Sequence, residues 1–213
     1  MWNFYAPDPA MRMNLGIRRR LYPLLENDRA KIGLAYSLMF TIPGSPVLYY
    51  GDEIGMGDDI TQFDRNGVRT PMQWDDSKNG GFSSADATYL PVITDAVYGY
   101  EQINVKSQED DSGSNLNWLR NLIRIRKSSE ALGFGGITWF TAGDSVPLLV
   151  YKRATANDSV YVFHNMTDAS QTIALDLEPG NYHDLIDPTI RYEGGSAVKV
   201  ALEPRQFLWL QKE

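Results

Sequence analysis

The hydrophobic period changes partway along this chain, and that change constrains its fold more than any other feature. Up to about residue 132 the apolar positions recur at helical spacing or gather in one short run, and from Ile137 onward they fall in short strand-length runs between turn clusters. Asn27 or Asp28 can cap a helix in which Ile32, Ala35, Leu38 or Met39, and Ile42 fall near helical spacing, and Pro43-Gly44 stops it. Val47 to Tyr50, between Pro46 and Gly51, reads as a brief buried strand. A helix followed by a short, wholly apolar strand implies a parallel sheet inside an α/β domain.

A second helix is expected over Asn115 to Leu132, with Ser114 as N-cap and Gly133 just past its end. Leu116, Leu119 and Ile123 form one of its rows, and Trp118, Leu122 and Ile125 the next. Between strand and helix lie about sixty residues rich in Gly, Asp, Asn and Ser, and so long a loop in a compact domain is usually functional. The N-terminal stretch reads as an irregular lead-in because of Pro7 and Pro9, and Pro23 interrupts a partly helical Asn14 to Leu25. Beyond the change of period, strands are expected at Ile137–Ala142, Leu148–Arg153, Ser159–Asn165, Gln171–Leu177, Ala197–Leu202 and Gln206–Gln211. The spacing suggests a small antiparallel sandwich. The expected organisation is therefore α/β over residues 1–135 and all-β over 136–213, with the boundary near Gly133–Gly136.

A net charge of −7 over 213 residues argues against a nucleic-acid partner, since phosphate backbones need a basic surface. Arg18-Arg19-Arg20 is the one compact basic run and reads as a structural or locally paired patch. With no cysteine there is no disulfide, thiolate metal site or cysteine nucleophile, and a cytoplasmic protein is expected. The N-terminus lacks the layout of a signal peptide, and no apolar run approaches the roughly 20 residues needed to cross a bilayer. No cofactor and no metal site is expected.

Histidine chemistry is nearly excluded, because His164 and His183 are the only two and both lie in the β region. His164 reads as a packed or hydrogen-bonded side chain. Glycoside chemistry uses two carboxyl groups about 5–5.5 Å apart for retention or about 6.5–9.5 Å apart for inversion. The loop offers Asp52, Glu53, Asp58, Asp59, Asp64, Asp75 and Asp76, any of which can instead be a cap, a turn or a solvated group. Asp52 and Glu53 stand out, because ligands of α/β sheets bind beyond the carboxyl ends of strands. Arg69, flanked by Gly67, Pro71 and Trp74, is either a planar donor for a sugar beside an aromatic face or a structural partner of Asp64 or Asp75.

Gly44-Ser-Pro-Val-Leu-Tyr-Tyr-Gly-Asp-Glu53 resembles the eighth-strand motif of the α-amylase family of glycoside hydrolases, and Gly67-Val-Arg-Thr-Pro-Met-Gln-Trp74 resembles the loop after it in the α-glucosidase-like branch. Asn14-Leu-Gly-Ile-Arg-Arg-Arg-Leu-Tyr-Pro-Leu-Leu25, and Tyr89-Leu-Pro-Val-Ile93 with Val97-Tyr-Gly-Tyr100, are similar to the trehalose synthase branch. The resemblance implies an eight-stranded (β/α) barrel with its site at the C-terminal face, here its last portion, followed by the family's C-terminal sandwich. It implies maltose, trehalose or another α-glucoside as substrate, and retaining intramolecular glucosyl transfer by three acids on other strands. None of those acids matches a position in this sequence, so no catalytic residue is assigned and the chain alone is expected to be inactive. Arg69 carries over as a sugar contact, with Trp74, Asp52 and Glu53 as further substrate-binding or rim positions. The alternatives are an α-glucosidase or α-amylase-type hydrolase fragment, or a non-catalytic carbohydrate- or partner-binding module. Association through an exposed barrel edge, including with a second copy, is a further expectation.

Overall fold

The computed structural model describes residues 1–141 and 147–213. Its chain gathers into two units, one of residues 1–28 and 47–120 and the other of residues 29–46 and 121–213.

The first unit opens with a short helix α1 (Trp2–Tyr5) and a two-stranded antiparallel hairpin, β1 (Arg12–Met13) with β2 (Gly16–Ile17). Helix α2 (Leu21–Leu24) follows and contains Pro23. The expectation that Pro23 breaks the helix is corrected here, because in a first turn the missing N–H has no intrahelical acceptor to lose. The long loop is a chain of tight turns, including three 3-10 segments at Asp52–Ile54, Asp64–Val68 and Lys78–Gly81, and one short helix α4 (Val105–Glu109). Asn104 caps α4 by accepting from the Ser107 N–H at 2.7 Å. Ile54, Met56, Met72 and Leu116 form the apolar core, with Ile103 and Val105 packed against it. Gly51 sits at φ 86° at the head of the first turn, where a Cβ would come within 2.3 Å of Met56 Sδ.

The arginine run organises this loop. Arg18 donates to the carbonyls of Ala10 (3.1 Å), Ile60 (2.8 Å), Gln62 (2.5 Å) and Asp64. Arg19 pairs with Asp58 at 3.0 Å, and the same carboxylate accepts from the Arg20 N–H at 2.7 Å. Arg20, only 3% exposed, donates to the carbonyls of Tyr50 at 2.6 Å and Val68 at 3.1 Å. A guanidinium has five donors, so three consecutive arginines can replace the backbone pairing that a loop of this length lacks. The locally paired reading of the run is correct, and its reach extends to residue 68.

Val47 to Tyr50 is not a buried strand. It joins no ladder among the described residues, and Val47 is 82% exposed, with Leu48, Tyr49 and Tyr50 also exposed. Its end is held instead by Asp52, whose N–H donates to the Tyr49 carbonyl at 3.1 Å and whose carboxylate accepts from the Tyr49 N–H at 3.3 Å. An apolar run becomes a strand only where another strand meets it, and β1 and β2 pair with each other alone.

In the second unit, helix α3 (Arg29–Thr41) ends before Pro43-Gly44 as expected. Its buried face differs from the expected stripe: Ile32, Leu34, Tyr36 and Phe40 are buried, as are Ser37 and Thr41, whereas Ile42 is exposed. The polar residues turn inward because they have partners there. Trp209 Nε1 donates to Ser37 Oγ at 2.7 Å, Ser37 Oγ meets His164 Nε2 at 2.7 Å, and Thr41 Oγ1 meets Tyr151 Oη at 2.5 Å. The last carbonyls of α3 are capped by cations, Thr41 by Arg153 at 2.5 Å and Phe40 by Arg126, where the negative end of the helix dipole favours them.

Helix α5 (Asn115–Ser128) carries the buried row Leu116, Leu119, Leu122 and Ile125. It stops sooner than expected. Ser129 leaves the helix, accepts from the Leu132 N–H at 3.2 Å and caps a separate helix α6 (Glu130–Phe134), so Gly133 lies inside a helix rather than past its end.

Among the described residues eight strands follow: β3 (Gly136–Phe140), β4 (Leu148–Ala154), β5 (Ser159–Asn165), β6 (Gln171–Leu175), β7 (Asn181–Asp184), β8 (Arg191–Glu193), β9 (Val198–Leu202) and β10 (Phe207–Lys212). Six form an antiparallel sheet in the order β3-β4-β5-β10-β7-β8, and β6 pairs with β9. Residue Ala142, the expected end of the first strand, lies outside the described residues. Strands β7 and β8 are additions to the sequence expectation, which read Pro179-Gly180-Asn181 and Glu193-Gly194-Gly195 only as turns. Both sheets contribute to one core, with Val150, Tyr161, Phe163, Tyr182 and Leu208 from the larger and Ile173, Val200 and Leu202 from the smaller.

Candidate functional site

In the first unit the turn at Gly51 brings Glu53 into the lining of a cavity of about 510 Å³. The segment Arg69 to Trp74 supplies Arg69, Thr70, Pro71, Met72 and Trp74 to the same lining. Thr70 and Gln73 are fully buried and fix this segment. The Thr70 carbonyl accepts from Tyr50 Oη at 2.9 Å, and Gln73 Nε2 donates to the carbonyls of Tyr98 at 3.0 Å and Ile103. Trp74 is 50% exposed, and with Phe82 and Tyr89 it gives the cavity an aromatic wall.

Arg69 is exposed and makes no ion pair or side-chain hydrogen bond among the described residues. The alternative in which Asp64 or Asp75 neutralises it is not realised. Asp75 is taken up locally, accepting from the Ser77 N–H at 2.8 Å and from its hydroxyl, which holds its carboxyl below the usual range. Asp58 is spent on Arg19, and Asp59 on Thr61 and Gln62. Those loop carboxylates are turn or pairing groups.

Three of the four sequence-assigned site residues, Glu53, Arg69 and Trp74, line the one cavity. Asp52 does not. It lines a neighbouring cavity of about 420 Å³ to which Arg69 also contributes. There its carboxylate lies 3.4 Å from Arg20 Nη1. Burial raises the Asp52 pKa, and the Arg20 charge opposes that rise. Asp52 and Glu53 are adjacent in sequence, but the turn sends their side chains to different cavities.

Sequence reasoning missed Phe82, Tyr89 and Tyr50 as lining residues, and missed Arg20 as the group that ties the cavity's parts together. Arg20 bonds the carbonyls of Tyr50 and Val68, the latter directly preceding Arg69, and its guanidinium lies 5.2 and 5.0 Å from the Tyr49 and Tyr50 ring centroids. The available signal was the arginine run itself, since a buried arginine needs several acceptors. The two histidines lie in the second unit. His164 is fully buried on Ser37, with its pKa pushed down to about 4 by burial, as expected of a packed side chain. Among the described residues no group of three His, Asp or Glu could hold a metal ion, and no helix is long and apolar enough to cross a membrane.

The arrangement can grip a neutral polyol. Arg69 offers an unspent planar donor set, Glu53 an acceptor, and the aromatic wall a face for the apolar side of a sugar ring.

Residues 18–135 match the family model "Alpha amylase, catalytic domain". The trehalose synthase/amylase of Mycolicibacterium smegmatis is 48% identical over 190 residues, covering 84% of this chain and 32% of that protein. A trehalose synthase from Pimelobacter sp. is 47% identical over 184 residues, covering 83% of this chain and 32% of that protein. An α-amylase structure from H. orenii superposes with a TM-score of 0.68 at 26% identity, covering 92% of this chain and 38% of that one. The chain thus spans about a third of the length of these curated relatives.

Proposed function

This chain belongs to the α-amylase family, and from that premise we propose that its first unit forms the glucose-gripping wall of a trehalose synthase-like enzyme. The observation that carries the reading is the free Arg69 guanidinium in a cavity shared with Glu53 and walled by Trp74, Phe82 and Tyr89. Such a site holds one glucose of maltose, trehalose or a related α-glucoside. Arg69 hydrogen-bonds ring hydroxyls, Trp74 packs on the ring, and Glu53 accepts at the rim. Asp52 lines the neighbouring cavity, paired with Arg20. The transfer itself, a retaining shift of glucose from an α-1,4 to an α,α-1,1 link, needs a nucleophile and an acid that none of these residues provides. The 213-residue chain therefore grips but does not turn over.

In this reading residues 1–135 are the last part of a (β/α)8 barrel and residues 136–213 an antiparallel β-sandwich. The end of the family match at residue 135 and the start of β3 at Gly136 support that boundary. The exposed, unladdered Val47 to Tyr50 is the edge through which the barrel part associates with further strands or a second copy, and the protein works in the cytoplasm.

Because every lining residue of the cavity comes from one unit, the grip is testable in this chain. Maltose and trehalose are titrated into the purified protein by saturation-transfer NMR, while ¹H spectra follow any conversion or release of glucose. The expected result is saturable contact that weakens in Arg69→Ala and Trp74→Ala, with no turnover. Turnover that survives rigorous purification would overturn the division of labour. Absence of sugar contact, or contact indifferent to both substitutions, would overturn the grip.

A further inference from the structure

The cavity that holds Asp52 is an island of positive charge in a chain whose net charge is −7. Five arginines line it: Arg18, Arg19, Arg20, Arg65 and Arg69. Three of them have internal partners. Arg19 is neutralised by Asp58 at 3.0 Å. Arg18 is spent on carbonyls, and its charge adds a last, smaller contribution at Asp59, where hydrogen bonds from Thr61 and Gln62 outweigh burial and hold the carboxyl below its usual range. Arg20 shares Asp52, the one carboxylate in the lining, yet its buried Nε has no partner.

Arg65 and Arg69 are different. Both are exposed, both line the cavity, and neither makes an ion pair or side-chain hydrogen bond among the described residues. They lie on either side of the Asn66-Gly67-Val68 turn, which Arg20 anchors through the Val68 carbonyl. Two unspent guanidinium forks are thus held on one turn at the wall of one cavity.

We propose that this cavity is an oxyanion subsite that takes a phosphate group, with Arg65 and Arg69 as its two ligating forks. A guanidinium presents two parallel N–H donors that match two oxygens of a phosphate, and two such forks match its two negative charges. A neutral sugar needs no such surplus of cation. Arg69 belongs to this cavity and to the aromatic-walled one as well, so a phosphate bound here lies beside the place proposed for a glucose ring. The same chemistry serves free inorganic phosphate and a phosphorylated glucoside, and the position next to the aromatic wall suits the latter.

The sugar grip and the anion subsite fail separately, because Arg65 lines only the cationic cavity and Trp74 only the aromatic one. Inorganic phosphate, glucose 1-phosphate and glucose are each titrated into the full chain by calorimetry, against sodium chloride at matched ionic strength. Saturable phosphate binding beyond the chloride control is expected, weakened roughly tenfold or more by Arg65→Ala and unaffected by Trp74→Ala. Arg65→Lys keeps the charge but loses the fork, and is expected to restore only part of the affinity. Glucose 1-phosphate binding more tightly than inorganic phosphate assigns the anion to a sugar phosphate, and equal affinities assign it to free phosphate. No saturation beyond the chloride control, or a phosphate affinity that Arg65→Ala leaves unchanged, would overturn the subsite even if maltose binding holds. Thermal unfolding of Arg65→Ala verifies that the exposed substitution leaves the fold intact.

Discussion

Acid should weaken the second unit through one side chain, His164. It is fully buried, its Nε2 is 2.7 Å from Ser37 Oγ, and the Tyr151 and Phe207 rings flank it at 5.8 and 6.4 Å. The Ser37 hydroxyl accepts from Trp209 Nε1 and still has its own proton to give to His164 Nε2, a pairing open to a neutral imidazole. Burial lowers the pKa from 6.5 to about 4. Above pH 6.5 the ring is neutral in both the folded and the unfolded chain, and no proton difference exists. Between 6.5 and 4 the unfolded chain takes up a proton that the folded one refuses, so stability falls as pH falls. At 1.36 kcal/mol for each unit of pKa, the full loss is about 3 kcal/mol, complete near pH 4. The buried carboxyl of Asp184, raised by desolvation, acts in the opposite direction over acidic pH, so a difference between two proteins is the cleaner readout. Urea unfolding of wild type and His164→Gln is compared from pH 7.5 to 4.5. The variant is expected to be less stable at pH 7.5, and the gap should narrow or reverse toward pH 4.5. An NMR titration of the His164 ring should give a midpoint near 4. A midpoint at 6 or above, or parallel stability profiles for the two proteins, would refute the reasoning.

Two further outcomes concern the candidate site. Arg20→Leu leaves the carbonyls of Tyr50 and Val68 without their donor and is expected to cost on the order of 2–3 kcal/mol; hydrogen exchange should show faster opening of residues 47–53 and 66–70 than of the β-sheets. Gly51→Ala forces a side chain onto a φ of 86° and against Met56 Sδ, with an expected loss of about 1–3 kcal/mol; denaturant unfolding measures it, and in a double-mutant cycle with Met56→Ala, itself a costly core truncation, the Gly51→Ala penalty should shrink by the steric share alone.

Much of the β region was legible because its apolar residues fall in short strand-length runs separated by turn clusters. The expected Ser159–Asn165 is the observed β5 to the residue. Strands β7 and β8 escaped notice because they are three or four residues long and lie beside turn clusters, so no alternation can establish itself. The stop of α3 was readable from Pro43-Gly44, but its buried face was not. Ser37 and Thr41 look like surface residues until His164, Trp209 and Tyr151, all more than 100 residues away, arrive to accept or donate.

The same division runs through the candidate site. By itself the sequence determined that Arg69 sits beside an aromatic residue on a proline-braced segment, and the structure finds Arg69, Trp74 and Glu53 lining one cavity. The Arg69–Trp74 part of that is local, set by residues five positions apart, whereas Glu53 joins it from sixteen positions upstream of Arg69. Only the tertiary structure decided that Asp52 and Glu53 part company, that Val47 to Tyr50 stays exposed, and that Arg18, Arg19 and Arg20 reach three different places in the loop. The physical reason is the same in each case. A buried guanidinium or an apolar run is defined by the acceptor or the strand it meets; those acceptors lie 30 and 48 positions away for Arg20, and among the described residues no strand pairs with Val47 to Tyr50.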